Sequence, residues 1–154
     1  MSFLRFTHIG ICVADLERSV RFYRDLLGFH LRSDLRVQGE PTQTLLRLPD
    51  VDLHAVYLER DGMRIELLHY ESPGATGSTD PRPMNQRGLT HLSLRVDDFA
   101  ATVDRLAAAG VRVLEDSRID IPAFSAAAVF VCDPDGTLIE LVQSPLDLEA
   151  PPGG

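Results

Sequence analysis

The chain repeats itself, and this limits its folds more than any other feature. Thr7-His8-Ile9-Gly10-Ile11-Cys12-Val13-Ala14-Asp15-Leu16 lies over Thr90-His91-Leu92-Ser93-Leu94-Arg95-Val96-Asp97-Asp98-Phe99. Asp61-Gly62-Met63-Arg64-Ile65-Glu66-Leu67-Leu68 lies over Asp135-Gly136-Thr137-Leu138-Ile139-Glu140-Leu141-Val142. His8 and His91 are 83 positions apart and Glu66 and Glu140 are 74 apart, so the first half carries nine more residues between its matched segments. A chain of 154 residues is therefore read as two modules, residues 1–70 and 89–144. Residues 71–88, rich in Pro and Gly, read as the linker between them, and residues 145–154 as a flexible tail.

Each half reads as βαβββ. Ile9, Ile11 and Val13 alternate with His8, Gly10 and Cys12, the pattern of a half-buried strand. Asp15 offers an N-cap, Leu16, Val20, Tyr23 and Leu27 form a helical stripe, and Gly28 supplies the stop. In the second half Leu92, Leu94 and Val96 form the strand, Asp98 caps, and Phe99, Val103 and Leu106 form the stripe, ending near Gly110. A further strand starts at Phe29 and at Val111. An irregular stretch follows in each half (residues 38–50 and 116–125), where pocket specificity is expected to lie. Two strands joined at Asp61-Gly62 or at Asp135-Gly136 complete each half, since Asp-Gly between alternating apolar runs signals a hairpin.

Strand periodicity then sorts the polar residues. His8 and His91 point away from the apolar face that meets the helix, and Glu66 and Glu140 point away from their Ile and Leu neighbours. If the two modules pair about a pseudo-twofold axis, His8, Glu66, His91 and Glu140 converge. Two imidazoles and two carboxylates suit one divalent ion per site (Zn, Ni, Co, Mn or Fe(II)), and a dication removes the repulsion between facing carboxylates. A lone strand His is more often a hydrogen-bonded core residue, and a lone Glu a solvated edge charge. Recurrence of both types at equivalent places favours the ligand reading.

Other candidates lack such recurrence. His69 falls on the strand face opposite Glu66, and His54 and His30 have no counterpart in the second half. Cys12 reads as a buried thiol, with pocket lining as the alternative. Arg95 shares the face of His91 and reads as a strand-end surface residue or an anion contact. For Tyr57, Phe124 and Phe130, core packing comes before pocket lining.

Composition removes whole classes. All 15 basic residues are Arg, so no Schiff-base or P-loop Lys is available. A net charge of -8 opposes a phosphate backbone and argues against nucleic-acid binding. No apolar stretch approaches the roughly 20 residues of a membrane helix, and no basic, apolar leader opens the chain. With two cysteines far apart and in no CxxC pattern, the expected location is the cytoplasm.

The segments Thr7-His8-Ile9-Gly10-Ile11, Phe22-Tyr23-Arg24-Asp25-Leu26-Leu27-Gly28-Phe29, Ile65-Glu66-Leu67-Leu68, Gly88-Leu89-Thr90-His91-Leu92 and Asp133-Pro134-Asp135-Gly136-Thr137-Leu138-Ile139-Glu140-Leu141 resemble the vicinal oxygen chelate superfamily. That superfamily includes glyoxalase I, methylmalonyl-CoA epimerase, extradiol dioxygenases, and fosfomycin and bleomycin resistance proteins. The resemblance implies an α+β fold in which paired βαβββ modules form a curved mixed-sheet cup with helices outside, often in a homodimer. It places His8, Glu66, His91 and Glu140 at the four metal positions, a set similar to that of glyoxalase I. It implies a metal-dependent lyase or isomerase acting on a small substrate with two neighbouring oxygens. The catalytic base would be Glu140 first and Glu66 second. Two alternatives accompany it: an Fe(II) dioxygenase using His8, His91 and Glu140, and a binding or resistance protein without turnover.

Overall fold

The computed structural model describes residues 2–145. The chain divides into two units, the first ending at Gly77 and the second beginning at Ser78. All of the tail 145–154 except Pro145 lies outside the described residues.

The first unit contains β1 (Ile9–Cys12), α1 (Leu16–Arg21), a π-helical turn (Phe22–Leu26), β2 (His30–Gln38), α2 (Glu40–Leu46), β3 (Asp52–Arg60) and β4 (Met63–Ser72). The second contains β5 (His91–Arg95), α3 (Phe99–Ala108), β6 (Arg112–Ile121), a 3-10 turn (Pro122–Phe124), β7 (Ala126–Cys132) and β8 (Leu138–Gln143). Each unit holds one four-stranded mixed sheet, ordered β1-β4-β3-β2 and β5-β8-β7-β6. The first and last strands of a unit run parallel, and the other pairs run antiparallel. The fold is α+β, with the βαβββ order present in both units.

Local chemistry sets the helix starts. Asp15 is extended and its carboxylate accepts from Arg18 N at 2.9 Å, while Asp98 accepts from Ala101 N at 3.0 Å. The first helix departs from the expected stripe. Leu27 N donates to Phe22 O at 3.2 Å, a five-residue step that moves the buried face along by one position. Leu16, Ser19, Phe22, Tyr23 and Leu27 are buried, and Val20 is only half-buried. In α3 the expected Phe99, Val103 and Leu106 are the buried positions, each contributing roughly 1.5–3 kcal/mol by leaving water.

The nine extra residues of the first half also find their place. Residues 38–50, read as irregular, contain α2, which opens at Gly39 (φ 89°) with Pro41 in its first turn. Leu46 and Leu48 then pack on a small cluster of Val51, Leu53 and Ala55, with Leu68 and Tyr70. The second unit has only the three-residue 3-10 turn at this stage, and Phe124 in it is exposed.

The two hairpins differ. Asp61 and Gly62 both have positive φ (51° and 74°), as a two-residue type I′ loop requires. The second is a five-residue loop rather than a two-residue one, because Cys132 pairs with Leu138. Inside it the buried Asp133 carboxylate accepts from Asp135 N and Thr137 N at 3.0 and 2.7 Å. Gly136 turns this loop at φ 89°, close against the Thr79 backbone.

Among the described residues, no helix is long and apolar enough to cross a membrane.

Candidate functional site

Each sheet presents two unlike faces. In the first unit Ile65 and Leu67 on β4 and Val56 and Leu58 on β3 are buried on one side. Period-two alternation sends Glu66 and Tyr57 to the other. Pairing of β1 with β4 sets Gly10 against Glu66 and Ile9 against Ile65, so His8 reaches the Glu66 face from the start of β1. His8 Nε2 stands 3.0 Å from Glu66 Oε2. In the second unit β5 runs beside β8 with Ser93 against Glu140, and His91 Nε2 stands 3.6 Å from Glu140 Oε2.

Two further contacts recur in both units. The Thr7 hydroxyl is hydrogen-bonded to His8 Nδ1 at 3.1 Å, and the Thr90 hydroxyl to His91 Nδ1 at 3.0 Å. A hydroxyl both donates and accepts. It can therefore accept from Nδ1–H when Nε2 carries a lone pair, and donate to Nδ1 when Nε2–H faces the carboxylate. Either way Nε2 stays turned toward the glutamate. An aromatic ring supports each imidazole edge-on, Tyr57 at 5.3 Å from His8 and Phe130 at 5.4 Å from His91. These two aromatics lie opposite Glu66 and Glu140 in the strand register, on the glutamate face, and not in the helix-side core where they were expected. Burial, then the hydrogen bond and charge of Glu66, push the Tyr57 phenol up to about 12.

The remaining candidates separate clearly. His69 Nδ1 donates to Val13 O at 3.3 Å on the helix side, and His54 Nε2 lies 2.6 Å from Asp34 Oδ1. Arg95 hydrogen-bonds the Ser144 carbonyl just past the end of β8, the strand-end position anticipated for it. Cys12 is exposed, which corrects its reading as a buried thiol, because it faces the open side of β1; Cys132 is buried. Ser93 is the site residue the sequence did not single out: its hydroxyl donates to Glu140 Oε2 at 2.7 Å. Its only sequence signal is its alternation with His91.

His8 is thus brought to Glu66, and His91 to Glu140, one pair in each unit. Among the described residues, no three His, Cys, Asp or Glu side chains cluster closely enough to hold a metal ion. Each pair offers one imidazole nitrogen and one carboxylate, with a hydroxyl behind the imidazole that suits the metal-binding tautomer. That donor chemistry fits a divalent ion of borderline hardness.

Three comparisons bear on this geometry. The family model described as Glyoxalase/Bleomycin resistance protein/Dioxygenase superfamily matches residues 5–141. An ethylmalonyl-CoA/methylmalonyl-CoA epimerase of Cereibacter sphaeroides is 32% identical over 143 residues, covering 90% of this chain and 97% of that protein. A probable lactoylglutathione lyase of Vibrio cholerae is 32% identical over 145 residues, 94% of each chain. Among solved structures, a glyoxalase family protein from Bacillus cereus shares the fold with a TM-score of 0.80 at 23% identity, over 94% of this chain and 96% of that one.

Proposed function

The chain belongs to the glyoxalase/bleomycin resistance protein/dioxygenase superfamily, and from that premise we propose that it is a divalent-metal-dependent lyase or isomerase. It moves a proton at a carbon next to a carbonyl, in a small substrate that presents two neighbouring oxygens. The observation that carries this reading is the repeated pair: in each unit a Thr-held imidazole turns Nε2 toward a glutamate on the parallel neighbouring strand.

In this reading His8 with Glu66, and His91 with Glu140, are the metal-holding pairs of the two units. The bound ion supplies Lewis-acid polarisation of the substrate carbonyl. Glu140 takes the proton from the adjacent carbon and returns it, to the neighbouring carbon in an isomerisation or to either face of the same carbon in an epimerisation. Glu66 stays in place beside the Tyr57 hydroxyl. Relatives with similar sequences support the substrate type. Methylmalonyl-CoA and lactoylglutathione, in the names of those relatives, are both thioesters with a proton on the carbon beside the carbonyl and a second oxygen close by. The same reading carries the homodimer that the superfamily resemblance implies.

Elemental analysis of the purified protein, then solvent deuterium wash-in on methylmalonyl-CoA and S-lactoylglutathione with and without oxygen, tests it. One bound metal per chain and oxygen-independent exchange are expected, with exchange lost in a metal-loaded Glu140→Gln variant. Unchanged exchange in that variant removes Glu140 from the role of base. Oxygen uptake with a catechol under Fe(II) moves the protein to the dioxygenases.

A further inference from the structure

The two proposed pairs match in their His, Glu, Thr and aromatic residues, yet they differ at the register position facing each glutamate. Gly10 stands opposite Glu66, and Ser93 stands opposite Glu140. Resting on the function proposed above, we propose that Ser93 is a positioning residue that makes Glu140, and not Glu66, the proton carrier.

The surroundings of the two carboxylates support this division. The Glu66 side chain is 14% exposed, lies 3.0 Å from His8 Nε2 and meets the Tyr57 hydroxyl. A serine across from it would be tight, since a Cβ on Gly10 would stand 3.2 Å from Leu68 Cδ1, the end of a side chain that must give way. The Glu140 side chain is 30% exposed, its imidazole neighbour is 3.6 Å away, and no phenol stands beside it, because Phe130 occupies the position of Tyr57. Its short contact is with the Ser93 hydroxyl, at 2.7 Å on Oε2. Glu66 is held by His8 and Tyr57, whereas the shortest contact of Glu140 is the Ser93 hydroxyl on Oε2.

That arrangement suits a proton carrier. In the transfer, the substrate C–H bond breaks, an O–H bond forms at Glu140 Oε1, and the electron pair moves into the adjacent carbonyl. Return of the proton regenerates the carboxylate, so no oxidant or reductant is needed. Ser93 donates to Oε2 throughout, because Oε2 remains an acceptor whether Oε1 is charged or protonated. The carboxylate therefore keeps its orientation in both states, with Oε1 as the oxygen that takes the proton.

The test uses the full chain as wild type, Ser93→Ala and Ser93→Thr. Each is titrated with Co(II), followed by calorimetry and by visible absorption, and each is assayed for deuterium wash-in on methylmalonyl-CoA and S-lactoylglutathione. The expected result is that Ser93→Ala still binds one Co(II) and melts as wild type does. Its Co(II) bands shift, and its exchange kcat falls about tenfold or more with KM unchanged, the scale of a lost hydrogen bond to a charged group. Ser93→Thr restores both the bands and the rate. Bands and kcat equal to wild type in Ser93→Ala overturn the role of Ser93 alone. A loss of folding or of Co(II) binding that accompanies the slower rate also overturns it, since Ser93 is then structural. If wild type binds Co(II) but exchanges neither probe, the proton-transfer reading fails and the role of Ser93 falls with it, whereas exchange in wild type that Ser93→Ala leaves unchanged overturns Ser93 alone. If wild type binds no Co(II), both readings fall.

Discussion

Replacing Gly136 with Ala tests how tightly the loop that delivers β8, and with it Glu140, is built. Gly136 has φ 89°, a region where an L side chain costs roughly 1–2 kcal/mol. Loss of chain entropy in the unfolded state returns about 0.4–1 kcal/mol of this. Gly110 has a similar φ of 81° and nothing within 4 Å of an added Cβ, so Gly110→Ala is expected to cost about 1 kcal/mol from strain alone. At Gly136 the same Cβ would run into the Thr79 carbonyl, with the Thr79 carbonyl carbon at 2.8 Å and its Cα at 3.4 Å. Those are backbone atoms, so relief requires the chain to move, and overpacking of this kind adds about 1–3 kcal/mol. Gly136→Ala should then cost about 2–4 kcal/mol and lower the melting temperature by about 5–15 °C in a chain of this size. Paired melts and urea titrations of the two variants measure the difference. If Gly136→Ala is no more destabilising than Gly110→Ala, the close approach of Thr79 has no energetic meaning and the reasoning fails.

Three other outcomes are expected. Ellman's reagent should titrate one thiol in the native protein, the exposed Cys12, and the second only in denaturant, because Cys132 is buried and its burial pushes the thiol pKa up. Thr7→Val or Thr90→Val should weaken divalent-metal binding about 10–100-fold by calorimetry, since each removes the hydroxyl that orients an imidazole; unchanged affinity refutes that role. The Glu59 carboxylate is held below its usual range first by the Arg64 hydrogen bond and then by Arg32. With the folded pKa below the unfolded one, its stabilisation is present above the ordinary Glu value and is lost as pH falls through the lowered value. Urea midpoints from about pH 6 down to about pH 2 should therefore fall less steeply for Glu59→Gln than for wild type, and equal slopes count against the pairing.

The repeat was legible because its markers sit on regular strands or on the turns and ends that bound them. Thr-His and Asp-Gly…Glu keep their spacing wherever a strand keeps its period of two, and Asp15 and Asp98 mark the helix starts by simple capping. The nine-residue change in spacing was also visible, but its content was not. α2 is one short helix, held by Leu46 and Leu48 against residues that follow it in the chain, and its local periodicity is too brief to announce it. The π-helical turn escaped for a related reason: Val20, Phe22, Tyr23, Leu26 and Leu27 satisfy a helical stripe with or without a one-residue shift. Ser93, Tyr57 and Phe130 depended on register. A serine in a strand says nothing until β5 is set beside β8, and only then does it face Glu140.

The parallel pairing of first and last strands has a consequence for how the protein is made. His8 lies at the start of its unit and Glu66 near its end, on neighbouring parallel strands that the helices and the β2-β3 strands separate in the chain. A nascent chain leaving the ribosome carries the imidazole long before it carries the carboxylate. A module made only as far as β3 lacks the carboxylate, so whatever needs the pair must wait for β4.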